Sequence, residues 1–328
     1  MWRVGVAGLV VAVAACASGV RGEGRAPSPG TPGAGVHAGR AAPSTTEAAP
    51  RDAAARFFVS GDGSLTIQSV HSGDRTTVRY RRADDTYDQE AVARVARVLR
   101  SRDGTVGPVS LRFLELLARV QALDGGAPLR VLSGYRSPAY NDGLRARGRK
   151  AASASLHTEG MAADLAFARE RLGPLWHEIR GLDCCGAGLY AAQGFMHVDV
   201  GPSRFWEAHT SRVDENLSAG NARLFARTEF DRHAAGEAIV VSLHAVTVPP
   251  VWIARTARLE DDGGRSVGEA AVGAADGGDG PCLEADARTR LRVTGTPAVT
   301  RGRLVLATCE PRVERTPLEV RTNPIAVR

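Results

Sequence analysis

An aspartate stands in the middle of a short apolar run, Met161-Ala162-Ala163-Asp164-Leu165-Ala166-Phe167, and that placement constrains this chain more than any other feature. Side chains alternate along a strand, so Met161, Ala163, Leu165 and Phe167 share one face and Asp164 lies on the other between alanines. A carboxylate there is costly to bury unless it is paired or bound to a metal. A second fragment, GFMHVDVG at 194–201, alternates in the same way. Met196, Val198 and Val200 take one face; Phe195, His197 and Asp199 take the other, so His197 and Asp199 point into a shared site. With His157 just upstream of Asp164, the chain offers two imidazoles and a carboxylate. That is the donor set of a catalytic zinc that keeps a fourth position open for water. The alternative is a satisfied core histidine beside an ion pair.

The pattern Ser155-x-His157-x-x-Gly160-x-Ala162-x-Asp164, followed by His197 on a late strand, resembles the D-Ala-D-Ala metallopeptidase group of zinc enzymes. Within that group it is most similar to the murein endopeptidase K branch. FFVSGDGSL at 57–65, TYDQEAVARVARVLRS at 86–101 and VLSGYRSPAYN at 131–141 stand in the same order, so the resemblance covers about residues 56–207. It implies Zn2+ on His157, Asp164 and His197, with peptidoglycan stem peptides as substrate. Arg136, in the GYRSP turn, is implied as the clamp for a substrate carboxylate, since guanidinium pairs with carboxylate through a bidentate fork. A structural salt bridge is its other reading. Ser155 either hydrogen-bonds substrate, orients His157, or is a plain loop serine. Tyr190 lines the cleft or packs in the core.

Several relatives carry an acid three residues before the last ligand as general base, and here that position is Gly194. Asp199 is then the best local candidate for the base, its competing role being to fix the tautomer of His197. Glu159, between two ligands, is a third option. The activity implied is hydrolysis of stem-peptide cross-links by metal-activated water. D,D- or L,D-carboxypeptidase action is one alternative. A catalytically weak, zinc-bearing cell-wall-binding module is another, and Gly194 is the feature that favours it.

The first residues bear on compartment. After Arg3, the apolar run Val4 to Ala15 is too short for a membrane span of about 20 residues but suits a signal-peptide core. It ends Val13-Ala14-Ala15-Cys16, which resembles a lipobox. The expectation is a leader over 1–15, a lipid anchor on Cys16, and residence on the periplasmic side of a bacterial membrane, the outer one given Ala17. Ordinary cleavage near the same alanines is the alternative. Residues 16–55 are rich in Pro, Gly and Ala without apolar periodicity, which reads as a disordered tether. The net charge of +6 comes almost wholly from arginine. No basic run alternates with aromatics, which argues against a nucleic-acid partner.

The fold class expected is α+β. Residues 56–215 form the zinc peptidase domain, a small antiparallel sheet with flanking helices that carries the metal site. Strands are expected over 57–69, 76–81 and 129–133, with 189–190 paired to 195–200. Helices are expected over 88–101, with Asp88 as cap, and over 109–123, 138–147 and 173–181. Residues 220–328 read as a β-rich, sandwich-like accessory domain with one long loop over the Gly- and Asp-rich stretch 260–280. Cys282 is expected to pair with Cys309. Cys184 and Cys185 are left as a vicinal disulfide, free thiols or rival metal ligands. Asp261, Asp262, Asp276 and Asp279 match no calcium spacing and read as solvated.

Overall fold

The computed structural model describes residues 56–148, 151–152, 154–211, 215, 217–274 and 280–328. The leader, Cys16 and the tether lie outside the described residues, as do Asp276 and Asp279.

The amino-terminal half is built on a seven-stranded sheet: β1 (Ser64–Ser69), β2 (Arg75–Arg79), β3 (Leu129–Ser133), β4 (Ala162–Ala166), β5 (Gly186–Tyr190), β6 (Phe195–Asp199) and β7 (Arg204–Glu207). Their spatial order is β2-β1-β3-β4-β6-β5-β7. The sheet is mixed rather than antiparallel. β1 runs parallel to β3 and β5 parallel to β7, while β3–β4, β4–β6 and β5–β6 are antiparallel. A parallel pair needs a long crossover, and between β1 and β3 the helices α1 (Gln89–Val98) and α2 (Leu111–Leu123) provide it.

The helices arise where the sequence signals them. Asp88 caps α1, its carboxylate accepting from the backbone N–H groups of Glu90 and Ala91 at 3.0 Å, and Ala91, Val95 and Val98 turn inward. Ser137 caps α3 (Pro138–Ala146) through a bond from Tyr140 N. Helix α4 (Arg169–Gly181) begins earlier than its Gly173-Pro174 pair suggests. Pro174 removes one N–H from the helical ladder, and the residue whose carbonyl loses that bond, Glu170, is exposed to water. Ala163, Leu165, Met196 and Val198 join the helices in one apolar core. Glu115 of α2 is wholly buried, and it accepts from Tyr80, Tyr87, Arg81 and the backbone of Gly61.

The carboxyl-terminal half is a curled ten-stranded sheet rather than two stacked layers. It contains β8 (Phe225–Thr228), β9 (Arg232–His233), β10 (Ile239–His244), β11 (Val251–Asp261), β12 (Ser266–Gly273), β13 (Cys282–Ala285), β14 (Arg290–Thr294), β15 (Val299–Thr308), β16 (Glu319–Arg321) and β17 (Ile325–Val327). The curl follows from the long strand β11. Its first residues pair with β13, its later ones with β12, and its register against β15 shifts between Ile253 and Ala257. Irregularities of this kind bend a strand, so the sheet wraps its own apolar core. The expected long loop is mostly a hairpin: Asp261 accepts from Arg265 N at 2.9 Å, and β12 resumes at Ser266. Cys282 is bonded to Cys309, and Cys184 to Cys185.

The two sheets are joined by a polar and aromatic seam. Asp231, 4% exposed, accepts from Arg112, from Phe58 N at 2.8 Å and from Asn323 Nδ2 at 2.7 Å. Phe57 packs against Phe230 with ring centroids 5.5 Å apart. Phe225 and Ala245, from the second half, are members of the first core.

Candidate metal centre

Strands β4 and β6 are antiparallel neighbours in a register that sets Asp164 directly across from His197. Both side chains therefore leave the sheet on the face opposite Leu165, Met196 and Val198. His157 arrives from a single 3-10 turn, Leu156–Glu159, that closes on Gly160 with φ 68°. Any β-carbon at residue 160 would overlap the carbonyl of Pro108, so glycine is needed there on steric as well as conformational grounds.

The three side chains converge on one point. His157 Nε2 lies 3.3 Å from His197 Nδ1, and Asp164 Oδ1 lies 3.0 Å from His197 Nδ1 and 3.5 Å from His157 Nε2. The outer nitrogens are already committed. His157 Nδ1 donates to the carbonyl of Gly134 at 2.7 Å, and His197 Nε2 donates to Asp199 Oδ2 at 2.9 Å. A neutral imidazole with one nitrogen protonated carries a lone pair on the other. Both inner nitrogens thus present lone pairs to each other and to a carboxylate oxygen. That arrangement is repulsive unless a positive charge sits among them. Two imidazole nitrogens and one carboxylate oxygen, with donor atoms all within 4.8 Å of one another, fit zinc.

The local electrostatics favour a neutral His157 and an ionised Asp164, as a metal requires, but they favour the protonated form of His197, whose proton a metal would displace. Burial drives His157 toward its neutral form, and the charge of Arg136 adds to this. Burial acts to raise the pKa of Asp164, but the two imidazoles outweigh it and hold the carboxyl well below the usual range. For His197 burial acts to lower the pKa, and the hydrogen bonds to Asp164 and Asp199 outweigh that and raise it. Burial likewise acts to raise Asp199, yet the Arg204 guanidinium and His197 hold it far below an ordinary carboxylate.

The remaining expected residues fall around this cluster. Arg136 Nη2 donates to Asp164 Oδ2 at 2.7 Å and its Nε to Ser133 Oγ at 3.0 Å. The full guanidinium fork is therefore not free for a substrate carboxylate; only Nη1 has no protein partner among the described residues. Asp199 is fully buried and accepts from His197 Nε2, from both terminal nitrogens of Arg204 and from Gly201 N. It lies on the far ring nitrogen of His197, which is the geometry of a group that fixes a tautomer rather than of a base beside the metal-facing atom. Ser155 is buried just before the ligand turn, and its side chain does not cap that turn. Glu159 points away from the ligands: it accepts from His244 Nδ1 at 2.5 Å and from Ala245 N at 3.2 Å. Gly194 takes φ 73° in the tight turn before β6, where an acidic side chain would be strained. Cys184 and Cys185 are not part of the cluster.

Several participants were not foreseen from sequence: the Gly134 carbonyl, Arg204, Trp206 and His244. The Trp206 ring lies 5.4 Å from that of His197, and its Nε1 donates to Tyr190 Oη at 3.1 Å. Tyr190 in turn stacks on Phe195 at 4.5 Å. The glycines of GAGLY were the available signal. A β-carbon at Gly186 would overlap the Asp199 carboxylate, and one at Gly188 the Trp206 ring.

The sequence profile of a family described as peptidoglycan L,D-endopeptidase MepK matches residues 60–206. The chain is similar to the peptidoglycan L,D-endopeptidase MepK of Escherichia coli strain K12, 31% identical over 144 residues, which is 43% of this chain and 79% of that protein. The Shigella flexneri protein of the same name gives the same figures. A probable peptidoglycan L,D-endopeptidase MepK of Haemophilus influenzae is 27% identical over 146 residues, covering 44% of this chain and 78% of the relative.

Proposed function

This chain belongs to the peptidoglycan L,D-endopeptidase MepK family, and from that premise we propose that it is a zinc-dependent peptidase that hydrolyses stem-peptide cross-links in peptidoglycan. The observation that carries the reading is the convergence of His157 Nε2, Asp164 Oδ1 and His197 Nδ1, with both outer ring nitrogens already bonded.

In this reading His157, Asp164 and His197 hold the metal. Bound zinc supplies a water of lowered pKa and polarises the scissile carbonyl. The chain's own groups prepare that position. Gly134 and Asp199 keep the two imidazoles in the tautomers that turn lone pairs inward. Arg204 keeps Asp199 ionised, and Arg136 occupies the outer oxygen of Asp164 so that Oδ1 faces the histidines. Arg136 Nη1 is the donor we assign to a carboxylate of the stem peptide, as a single contact rather than a fork. Trp206, tied to Tyr190, walls the site beside His197.

We also propose that Cys16 is lipid-anchored on the periplasmic side of the outer membrane and that residues 16–55 tether the peptidase to the wall. Cys16→Ser is expected to release the protein to the soluble fraction, and unchanged membrane association counts against the anchor.

The central test is to incubate the protein with cross-linked sacculi, with and without chelator, and to separate the products. Loss of muropeptide dimers, abolished by chelator and by His197→Ala, is the expected result, and product masses identify the bond cut. Shortened stems with dimers intact reassign the activity to a carboxypeptidase. Intact sacculi with zinc bound stoichiometrically overturn the enzyme reading in favour of a wall-binding module.

A further inference from the structure

A cavity of about 690 Å³ lies between the two sheets, and none of the three metal-facing residues lines it. That volume is in the range of small-molecule sites, roughly 300–1,000 Å³. Its walls carry five arginines, Arg112, Arg227, Arg301, Arg303 and Arg321, against three carboxylates, Asp183, Asp231 and Glu319. Three of the arginines are neutralised within the protein: Arg112 by Asp231, Arg301 by Asp262, and Arg321 by Glu260 and Glu319.

Arg227 and Arg303 are not. Neither forms a salt bridge among the described residues, although Asp199 and Asp231 attract Arg227, and Asp262 and Asp183 attract Arg303, at longer range. Arg303 donates only to the carbonyl of Thr322, at 3.2 Å. Arg227 is 8% exposed; it spends Nε on the carbonyl of Val200 at 2.9 Å and sits 5.3 Å from the Phe225 ring. Both of its terminal amino groups are without a protein hydrogen-bond partner among the described residues. A buried cation left unpaired is costly. Burial, with the repulsion of Arg112 next, lowers the pKa of Arg227 to about 9. A guanidinium in a cavity wall whose terminal amino groups touch no carboxylate of the chain has the makings of an anion site. The planar guanidinium fork matches the oxygens of a carboxylate or phosphate.

We propose that the cavity between the sheets binds a small anionic ligand whose carboxylate or phosphate group is held by Arg227 and Arg303. The site is separate from the proposed metal centre and does not depend on peptidase activity.

The test is calorimetric titration of the full-length protein at constant ionic strength, with inorganic phosphate in one arm and succinate in the other. Saturable binding of one equivalent of either is expected, and the arm that binds more tightly identifies the ligand chemistry. Arg303→Gln, at an exposed position where folding is expected to persist, and Arg227→Met are each expected to weaken binding at least about tenfold. Arg265→Gln, on the distant hairpin turn, is expected to leave binding unchanged. His197→Ala distinguishes the cavity from the metal centre. Binding that survives His197→Ala but falls with Arg303→Gln supports the proposal. Binding lost in His197→Ala and kept in Arg303→Gln overturns it, as does the absence of saturable binding in both arms.

Discussion

Asp164 on the first sheet and Asp231 at the edge of the second are both largely buried carboxylates, with side chains 15% and 5% exposed. Their surroundings differ in kind. Asp231 is met by donors: a guanidinium, an amide and a backbone N–H. Asp164 has one oxygen so satisfied, by Arg136, while the other faces two ring nitrogens whose protons are held elsewhere. A carboxylate that serves the fold saturates itself with donors from its own chain. One proposed to serve a bound ion is left facing ring nitrogens, with room among them for a proton on His197 or for a metal cation.

This contrast can be broken by a paired substitution. Asp231→Ala should lower unfolding free energy by about 3–5 kcal/mol, because it strands Arg112 in a buried seam, while folded molecules still bind zinc. Asp164→Ala should abolish zinc binding yet cost the metal-free protein much less. Denaturant titration with zinc stoichiometry measures both, and equal destabilisation by the two variants would remove the distinction. Asp199→Asn probes how far the donor-acceptor pattern extends behind the ligands. It should weaken zinc affinity about 10- to 100-fold with little change in secondary structure, read by competition with a chromogenic chelator.

The two halves also meet at Glu159, where His244 and Ala245 of the second sheet hold the turn that carries His157. His244→Ala should reduce zinc affinity by less than Asp199→Asn, within about tenfold. Unaltered affinity would mean that the second sheet does not position the ligand turn. The smallest expected effect concerns Asp103, an exposed carboxylate satisfied by donors. The Ser137 hydroxyl, followed by Thr105 N, lowers its pKa from 3.8 to about 2. A depressed carboxyl stabilises the fold above its unfolded pKa and loses that contribution as pH falls through the folded value. The melting difference between the protein and Asp103→Asn should therefore be fullest above pH 4 and fade toward pH 2.

Legibility from sequence followed the range of the interactions. The alternation around Asp164 and His197 is local and was readable, as was the cap at Asp88. The partner of Arg136 was not, because a turn arginine and a strand aspartate share no sequence spacing. Glu159 was open as a third candidate for the base because its partner His244 lies 85 residues away. The curl of the second sheet escaped notice because it depends on which strands flank each end of β11, and the Gly-rich composition near residue 264 masked a tight hairpin.

The sequence by itself determined which atoms share a face: period-two alternation is a property of the backbone and needs no partner. It also determined the donor types, two imidazoles and a carboxylate, which suit the zinc proposed for the site. Tertiary structure decided the rest. It chose the tautomers by setting Gly134 and Asp199 behind the rings, turned Arg136 onto Asp164, and left Arg227 without a salt bridge in a cavity wall. Those outcomes depend on groups far apart in the chain that meet only when the sheets close, and no local pattern encodes a distance across such a gap.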